Sequence, residues 1–107
     1  MSPRRRLPRA AIRRVNIGGR KWRLDAAAPL RPPVCWGDCD PPTKARPMIR
    51  ISRHAVGLEF VETLLHELIH SRWWALDETE VSEFAEEAVA ILRQFPDELA
   101  AMLEDEA

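Results

Sequence analysis

The chain has 107 residues, of which 46% are hydrophobic and 31% are charged. This length suits one domain with one modest core, and the composition is ordinary for a globular protein. No apolar run approaches the ~20 residues that a membrane-spanning helix needs, and no hydrophobic signal core follows the basic N-terminus. These features exclude a membrane partner and favour a cytoplasmic protein.

The net charge of −1 conceals a division between the two halves of the chain. Residues 1–53 contain 14 Lys and Arg against 3 Asp and Glu, whereas residues 54–107 contain 2 Arg against 14 Asp and Glu. A basic half can bind nucleic acid or another polyanion. Because no nucleic-acid motif accompanies the arginines, we favour a solvated arm that offsets the acidic helices, with nucleic acid as the weaker alternative.

The N-terminal part of the chain predicts an arm followed by a hairpin. Residues 1–10 combine arginines with prolines and predict a flexible basic arm, so that residues 11–107 form the single folded domain. The runs 12–17 and 20–24 both contain alternating apolar and polar residues, and Gly18-Gly19 separates them. Two such runs with a Gly-Gly junction are typical of a β-hairpin.

The middle of the chain, residues 25–47, is rich in proline, which disfavours long regular elements. Segment 34–40 predicts a short strand that ends in a turn. Its Cys35 and Cys39 have a spacing that two metal ligands can adopt, but no second cysteine pair completes a site. We favour ordinary thiols beside a packed Trp36.

Residues 48–52 alternate apolar and polar side chains and predict a strand directly before a helix. If this strand lies at the edge of the sheet, an extended peptide can pair with it by strand addition. If it lies in the interior, it has no ligand role. The sequence leaves both alternatives open.

Two long helices and one short helix follow. An apolar stripe with a 3.6-residue period predicts the first helix over about 58–74, where Trp73 and Trp74 are expected to pack into the core or wall a cleft. Asp77 is a good N-cap for a second helix over about 78–94, and Glu80 completes a capping box. The second helix is expected to bury Val81, Phe84, Ala85, Ala88, Val89 and Leu92.

Residues 98–104 predict a short terminal helix after Pro96 ends the second one. Together the elements predict an α+β fold. A small antiparallel sheet of three or four short strands packs on two helices, and a short C-terminal helix completes the domain.

The most informative motif is His66-Glu67-Leu68-Ile69-His70, which has the form H-E-x-x-H inside the first helix. Residues four apart lie on one face of a helix, so both imidazoles can bind one Zn²⁺ ion. The Glu67 carboxylate can then take a proton from a water on the metal, as the general base of a hydrolase does.

A catalytic zinc site usually has a third protein ligand, and two His with one Glu is a common set. At ~100° per residue, Glu78 lies beside the buried face of the second helix, whereas Glu80 and Glu83 lie further from it. A carboxylate that reaches a metal on a packed neighbour should come from this margin. We favour Glu78 as the third ligand and keep Glu80 as the alternative.

These residues resemble a known group of proteins. His66-Glu67-x-x-His70 followed by Glu78-x-x-Val81-x-x-Phe84-Ala85 is similar to the gluzincin-like zincin metallopeptidases, with ImmA/IrrE-type peptidases and minigluzincins as the closest comparison. Residues 34–93 also look like small phage and bacterial H-E-x-x-H proteins. The resemblance implies a zincin core with Zn²⁺ bound by His66, His70 and Glu78 and with Glu67 as the base.

The leading hypothesis is therefore a zinc-dependent metallopeptidase that hydrolyses peptide bonds in a peptide or protein substrate. The alternative is a non-catalytic or latent zinc-binding module that docks a protein or nucleic-acid partner through its basic N-terminal half. A metal-free helical packing unit is the third hypothesis, and metal content separates it from the other two.

Overall fold

The computed structural model describes residues 12–105, so the predicted arm at 1–10 lies outside the described residues. Four strands and three helices follow one another in the order expected for an α+β protein. The elements are β1 (Arg13–Ile17), β2 (Arg20–Ala28), β3 (Gly37–Cys39), β4 (Met48–Ser52), α1 (Leu58–Arg72), α2 (Glu78–Leu92) and α3 (Pro96–Asp105). The α+β prediction is thus confirmed.

The predicted hairpin is present. Strands β1 and β2 pair antiparallel, with Ile17 opposite Arg20. Gly18 and Gly19 form the two-residue turn with φ angles of 60° and 79°. Residues with side chains avoid such positive φ values, so a Gly-Gly turn fits the twist of the strands at little steric cost. Strand β2 continues to Ala28, further than the predicted end at residue 24.

The prediction of an antiparallel sheet is wrong in one respect. The strand order is β1-β2-β4-β3, and β2 pairs with β4 in parallel while the other two pairs are antiparallel. The proline-rich connection from residue 29 to 47 is long enough to carry the chain back to the same end of the sheet, as a parallel pair requires. Strand β4 is therefore interior, and the three-residue β3 forms the edge beside α1.

The core lies between the sheet and α1. Trp22, Ile49 and Ile51 are almost fully buried and pack together with Ala55. Burial of each large side chain contributes about 1.5–3 kcal/mol of hydrophobic free energy. Partly buried residues of the sheet and of α1 surround this cluster, namely Val15, Ile17, Leu24, Trp36, Cys39, Phe60, Leu64 and Leu68.

The most buried positions of α1 form a polar row, Thr63, Glu67 and Ser71, which periodicity did not predict. The two hydroxyls donate to carbonyl oxygens of their own helix, to Glu59 O and Leu68 O respectively. Such local hydrogen bonds satisfy buried hydroxyls without an external partner. The apolar stripe predicted for this helix is instead only partly buried, because β3 lies against the polar row.

Two aromatic predictions on the helices are wrong. Helix α1 ends at Arg72, and Trp73 is 54% exposed with the Arg72 guanidinium 5.3 Å from its ring centroid. Helix α2 buries Val81, Ala85 and Val89 as expected, but Phe84 is 55% exposed. Among the described elements, the main contacts of α2 are with α1, and the buried residues of α2 form one stripe.

Candidate metal centre

Helix α1 places His66 and His70 one turn apart near its C-terminal end. Their ring centroids are 4.8 Å apart, and their Nε2 atoms are separated by 3.1 Å. Both rings are mostly shielded from solvent, since their side chains are 22% and 14% exposed. The i, i+4 spacing of a regular helix thus directs both Nε2 atoms to one point.

Helix α2 supplies a carboxylate to the same point. Asp77 begins this helix as its N-cap, and its Oδ1 accepts a hydrogen bond of 2.6 Å from the Thr79 N–H. The cap places Glu78 in the first turn, directly opposite the two imidazoles. Glu78 Oε1 lies 2.6 Å from His66 Nε2, and Glu78 Oε2 lies 2.8 Å from His70 Nε2.

The three side chains fit one divalent cation. One ligand atom from each of the three residues lies within 4.8 Å of the ligand atoms of the other two. Two imidazoles and one carboxylate are a donor set that zinc prefers.

Glu67 lies beside this group with its side chain turned into the fold. It is 7% exposed, although it lines the same cleft as His66, His70 and Glu78. Burial raises the pKa of the Glu67 carboxyl to about 7, and the negative charges of Asp38 and Glu78 act in the same direction. A buried carboxyl with this pKa can accept and release a proton near neutral pH.

The cleft around these side chains has a volume of about 500 Å³ and opens to solvent. Its opposite wall is the edge strand β3, represented by Gly37, Asp38 and Cys39. Trp74 closes one end, with its ring centroid 6.4 Å from that of His70. Trp74 therefore walls the cleft, which is one of the two positions expected for the tryptophans.

Cys39 is a cleft residue whose thiol stays protonated. Burial raises its pKa to about 12, and the charges of Glu67, Asp40 and Asp38 add to this effect against the opposing charge of Arg50. A protonated thiol is a poor metal ligand and a poor nucleophile. Neither Cys39 nor Cys35 belongs to a candidate cluster of metal ligands in the described part of the chain.

A partly buried ion-pair network supports the edge strand. Arg50 Nη1 of β4 donates to Asp38 Oδ1 at 2.9 Å and to Asp40 Oδ1 at 3.1 Å. Asp40 also accepts a 3.0 Å hydrogen bond from the Met48 N–H. Burial acts to raise the pKa of Asp40, but the hydrogen bonds from Arg50 and Met48 outweigh it and lower the pKa. The network holds β3 against β4.

The structure brings together all four residues that the motif and the helix geometry selected. His66, His70 and Glu78 form the one candidate cluster of metal ligands within residues 12–105, and Glu67 adjoins it. Glu80, the alternative third ligand, is exposed and outside the cluster.

Sequence analysis missed the contribution of β3 to the site. A Cβ atom on Gly37 would lie 2.7 Å from Thr63 Cγ2, 3.0 Å from the Arg50 carbonyl oxygen and 3.3 Å from Glu67 Cγ. The glycine thus permits the close approach of β3 to the polar row of α1. The available signal was one glycine in a predicted short strand, where glycine often marks a close backbone approach.

Comparison with known proteins does not extend this description. No known protein family matches the chain, and neither a curated protein nor a solved structure is significantly similar to it. Among residues 12–105, no helix has both the length and the apolar character required to cross a bilayer.

Proposed function

We propose that the protein is a zinc-dependent metallopeptidase in which His66, His70 and Glu78 hold the ion and Glu67 is the general base. The observation that supports this function best is the convergence of three ligand atoms from two helices next to a buried carboxyl with a pKa of about 7. The resemblance of the H-E-x-x-H motif and the following Glu to gluzincins supports the same assignment.

The chain's own residues divide the chemistry between them. A Zn²⁺ ion held by His66, His70 and Glu78 would supply Lewis acidity for the hydrolysis of a peptide bond. Glu67 accepts the proton of the attacking water and delivers it to the leaving amine. Its burial in the cleft places the carboxyl beside the three proposed ligands.

The edge strand β3 offers a place for an extended peptide. Strand β3 pairs with β4 on one side only, and its residues form the wall opposite the two imidazoles. A substrate that adds a strand to this edge would have its backbone carbonyls beside the metal centre. The sequence left open whether a peptide could add to the strand at 48–52. Because that strand, β4, is interior, we assign peptide addition to β3 instead.

Metal content and peptide cleavage test this function together. The wild-type protein should bind one zinc ion, and His66→Ala should remove it while His54→Ala, which changes an exposed loop histidine, should not. An unbiased peptide mixture should be cleaved by the zinc-loaded protein, with new termini detected by mass spectrometry. The Glu67→Gln variant should bind zinc but lose cleavage by ~10²–10⁴-fold, the usual contribution of a general base.

The matched control for Glu67→Gln is Glu86→Gln, which removes the same charge from an exposed position of α2. Zinc binding without cleavage by any variant would replace the peptidase proposal with the zinc-binding module. Equal cleavage by Glu67→Gln and the wild type would refute the assignment of the base. A wild-type protein that binds no zinc would refute both zinc-dependent functions.

A further inference from the structure

A second cleft, of about 510 Å³, lies at the hairpin and is separate from the metal centre. It is formed by β1, β2 and the segment that precedes β4. Four of its nine lining residues are cationic and none is acidic. The lining residues are Arg14, Val15, Asn16, Lys21, Trp22, Arg23, Ala45, Arg46 and Pro47.

Two of the arginines face each other directly across the hairpin. Arg14 of β1 and Arg23 of β2 are register partners, and the next pair on the same face is Asn16 with Lys21. Side chains of directly opposite residues are about 4.5–5.5 Å apart at Cβ, so like charges in such a pair destabilise a sheet. Among the described residues, none of the four cations of this cleft forms an ion pair with a carboxylate.

The Arg23 guanidinium also contains an unsatisfied donor. Its Nε atom is buried from solvent, and no hydrogen-bond acceptor contacts it within residues 12–105. An unsatisfied buried donor costs about 1–3 kcal/mol, more when it is charged. Most buried polar groups in proteins have a partner, so the unpaired Nε leaves the charge of Arg23 poorly satisfied beside an open cleft.

Arg50 of the neighbouring strand β4 shows the arrangement that Arg23 lacks. Its guanidinium is also partly buried, but it donates to Asp38 and Asp40 at 2.9 and 3.1 Å. The same sheet therefore supplies two carboxylates to one arginine and none to the other. An external oxyanion in the hairpin cleft would give Arg23 what the two aspartates give Arg50.

We propose that the hairpin cleft binds a phosphate group, held by Arg14, Arg23 and Arg46. A phosphate has several acceptor oxygens, and the planar fork of an arginine matches them with paired hydrogen bonds. Either a small phosphorylated molecule or the backbone of a nucleic acid can carry this group. The site shares no residue with the metal centre, so the inference does not depend on the proposed function.

The first experiment titrates the isotope-labelled full-length protein with inorganic pyrophosphate and follows amide and arginine Nε–H resonances by NMR. Sodium chloride at matched ionic strength is the reference. We expect saturable shifts of the Arg23 Nε–H and of the backbone of the cleft with pyrophosphate only. In a parallel arm, a short DNA duplex replaces pyrophosphate. A lower dissociation constant for DNA than for pyrophosphate, with shifts at the same residues, would identify the nucleic-acid backbone as the source of the phosphate.

The variants Arg23→Gln and Arg46→Gln should each weaken binding about 10-fold, the effect of losing a charge-assisted hydrogen bond. Arg46 is exposed in a loop, so its variant reports on the site even if Arg23→Gln does not fold. Arg53→Gln removes one charge from an exposed position outside the cleft and should bind as the wild type does. Equal shifts with chloride, equal weakening by Arg53→Gln, or an unchanged Arg23 Nε–H with both probes would overturn the proposal.

Discussion

The cleft beside α1 and the cleft at the hairpin have similar volumes, about 500 and 510 Å³, but opposite chemistry. The first contains two imidazoles and three carboxylates, and the second contains four cations and no carboxylate. In the first cleft Glu78 lies within hydrogen-bond distance of both imidazoles, whereas the cations of the second form no ion pair with a carboxylate among the described residues. Under the two proposals above, the first cleft binds a cation and the second binds an anion.

The origin of this difference lies in the charge division of the sequence. The hairpin comes from the basic half of the chain, and α1 and α2 come from the acidic half. Helix α1 covers one face of the sheet with apolar side chains, so few charges of the two halves can meet there. The halves therefore do not neutralise each other at either cleft.

The largest effect is expected when the first cleft loses a ligand. Glu78→Gln should weaken zinc binding by at least ~100-fold, because even the loss of a residue that only supports a ligand costs 10–100-fold. Glu80→Gln has the same change of charge in the same helical turn and should leave the affinity unaltered. Competition with a chelating dye measures both, and equal affinities of the two variants would contradict the assignment of Glu78.

A smaller effect is expected when the balanced arginine between the clefts loses a partner. Asp40→Asn should destabilise the protein by about 2 kcal/mol at neutral pH, because Asp40 is buried and accepts hydrogen bonds from Arg50 and Met48. Urea unfolding at a series of pH values measures the difference. In this variant Arg50 would keep only Asp38 as a carboxylate partner, and its environment would become more like that of Arg23.

The pH dependence of this difference has a defined sign. The folded-state pKa of Asp40 is lower than the ordinary value of 3.8, so the unfolded chain binds the proton more readily. The stabilisation is fully present above the unfolded-state pKa and is lost as the pH falls through the folded-state pKa. The gap between wild type and Asp40→Asn should thus narrow in acid, and a gap that widens there would contradict this account.

The smallest effect concerns the wall of the first cleft. Gly37→Ala should destabilise the protein by about 1 kcal/mol, the lower end for an overpacked site, because the new methyl group meets Thr63 Cγ2 at 2.7 Å. Thr63→Ser removes that methyl group and keeps the hydroxyl that donates to Glu59 O. A double-mutant cycle should show that the second change recovers part of the loss, and strict additivity would exclude the contact as the cause.

Much of the local structure was predictable because short-range chemistry determines it. The Gly18-Gly19 turn, the strand at 48–52 and the Asp77 cap each depend on a few adjacent residues, and all three are present. The relation of His66 to His70 follows from helix geometry alone. Glu78 was selected because it lies beside the predicted buried stripe of α2. The selection agrees with the structure because this stripe packs on α1, which contains the two histidines.

The features that escaped prediction depend on distant partners. The parallel pairing of β2 with β4 results from where the proline-rich connection returns, which periodicity does not encode. The buried polar row of α1 depends on the approach of β3 at Gly37. Phe84 was expected inside because it is apolar, but it lies outside the stripe of α2 that is buried among the described residues.

The ligands of the candidate metal centre come from two helices that otherwise share a thin interface. The buried residues of α2 are two valines and one alanine, Val81, Val89 and Ala85. All three side chains are small, so the helix buries little apolar surface. Ion binding across α1 and α2 would therefore contribute to the docking of one helix on the other, as in small metal-stapled domains. Chelation would then loosen α2 from the rest of the fold and make the exposed five-residue connection at 73–77 easier for proteases to cleave.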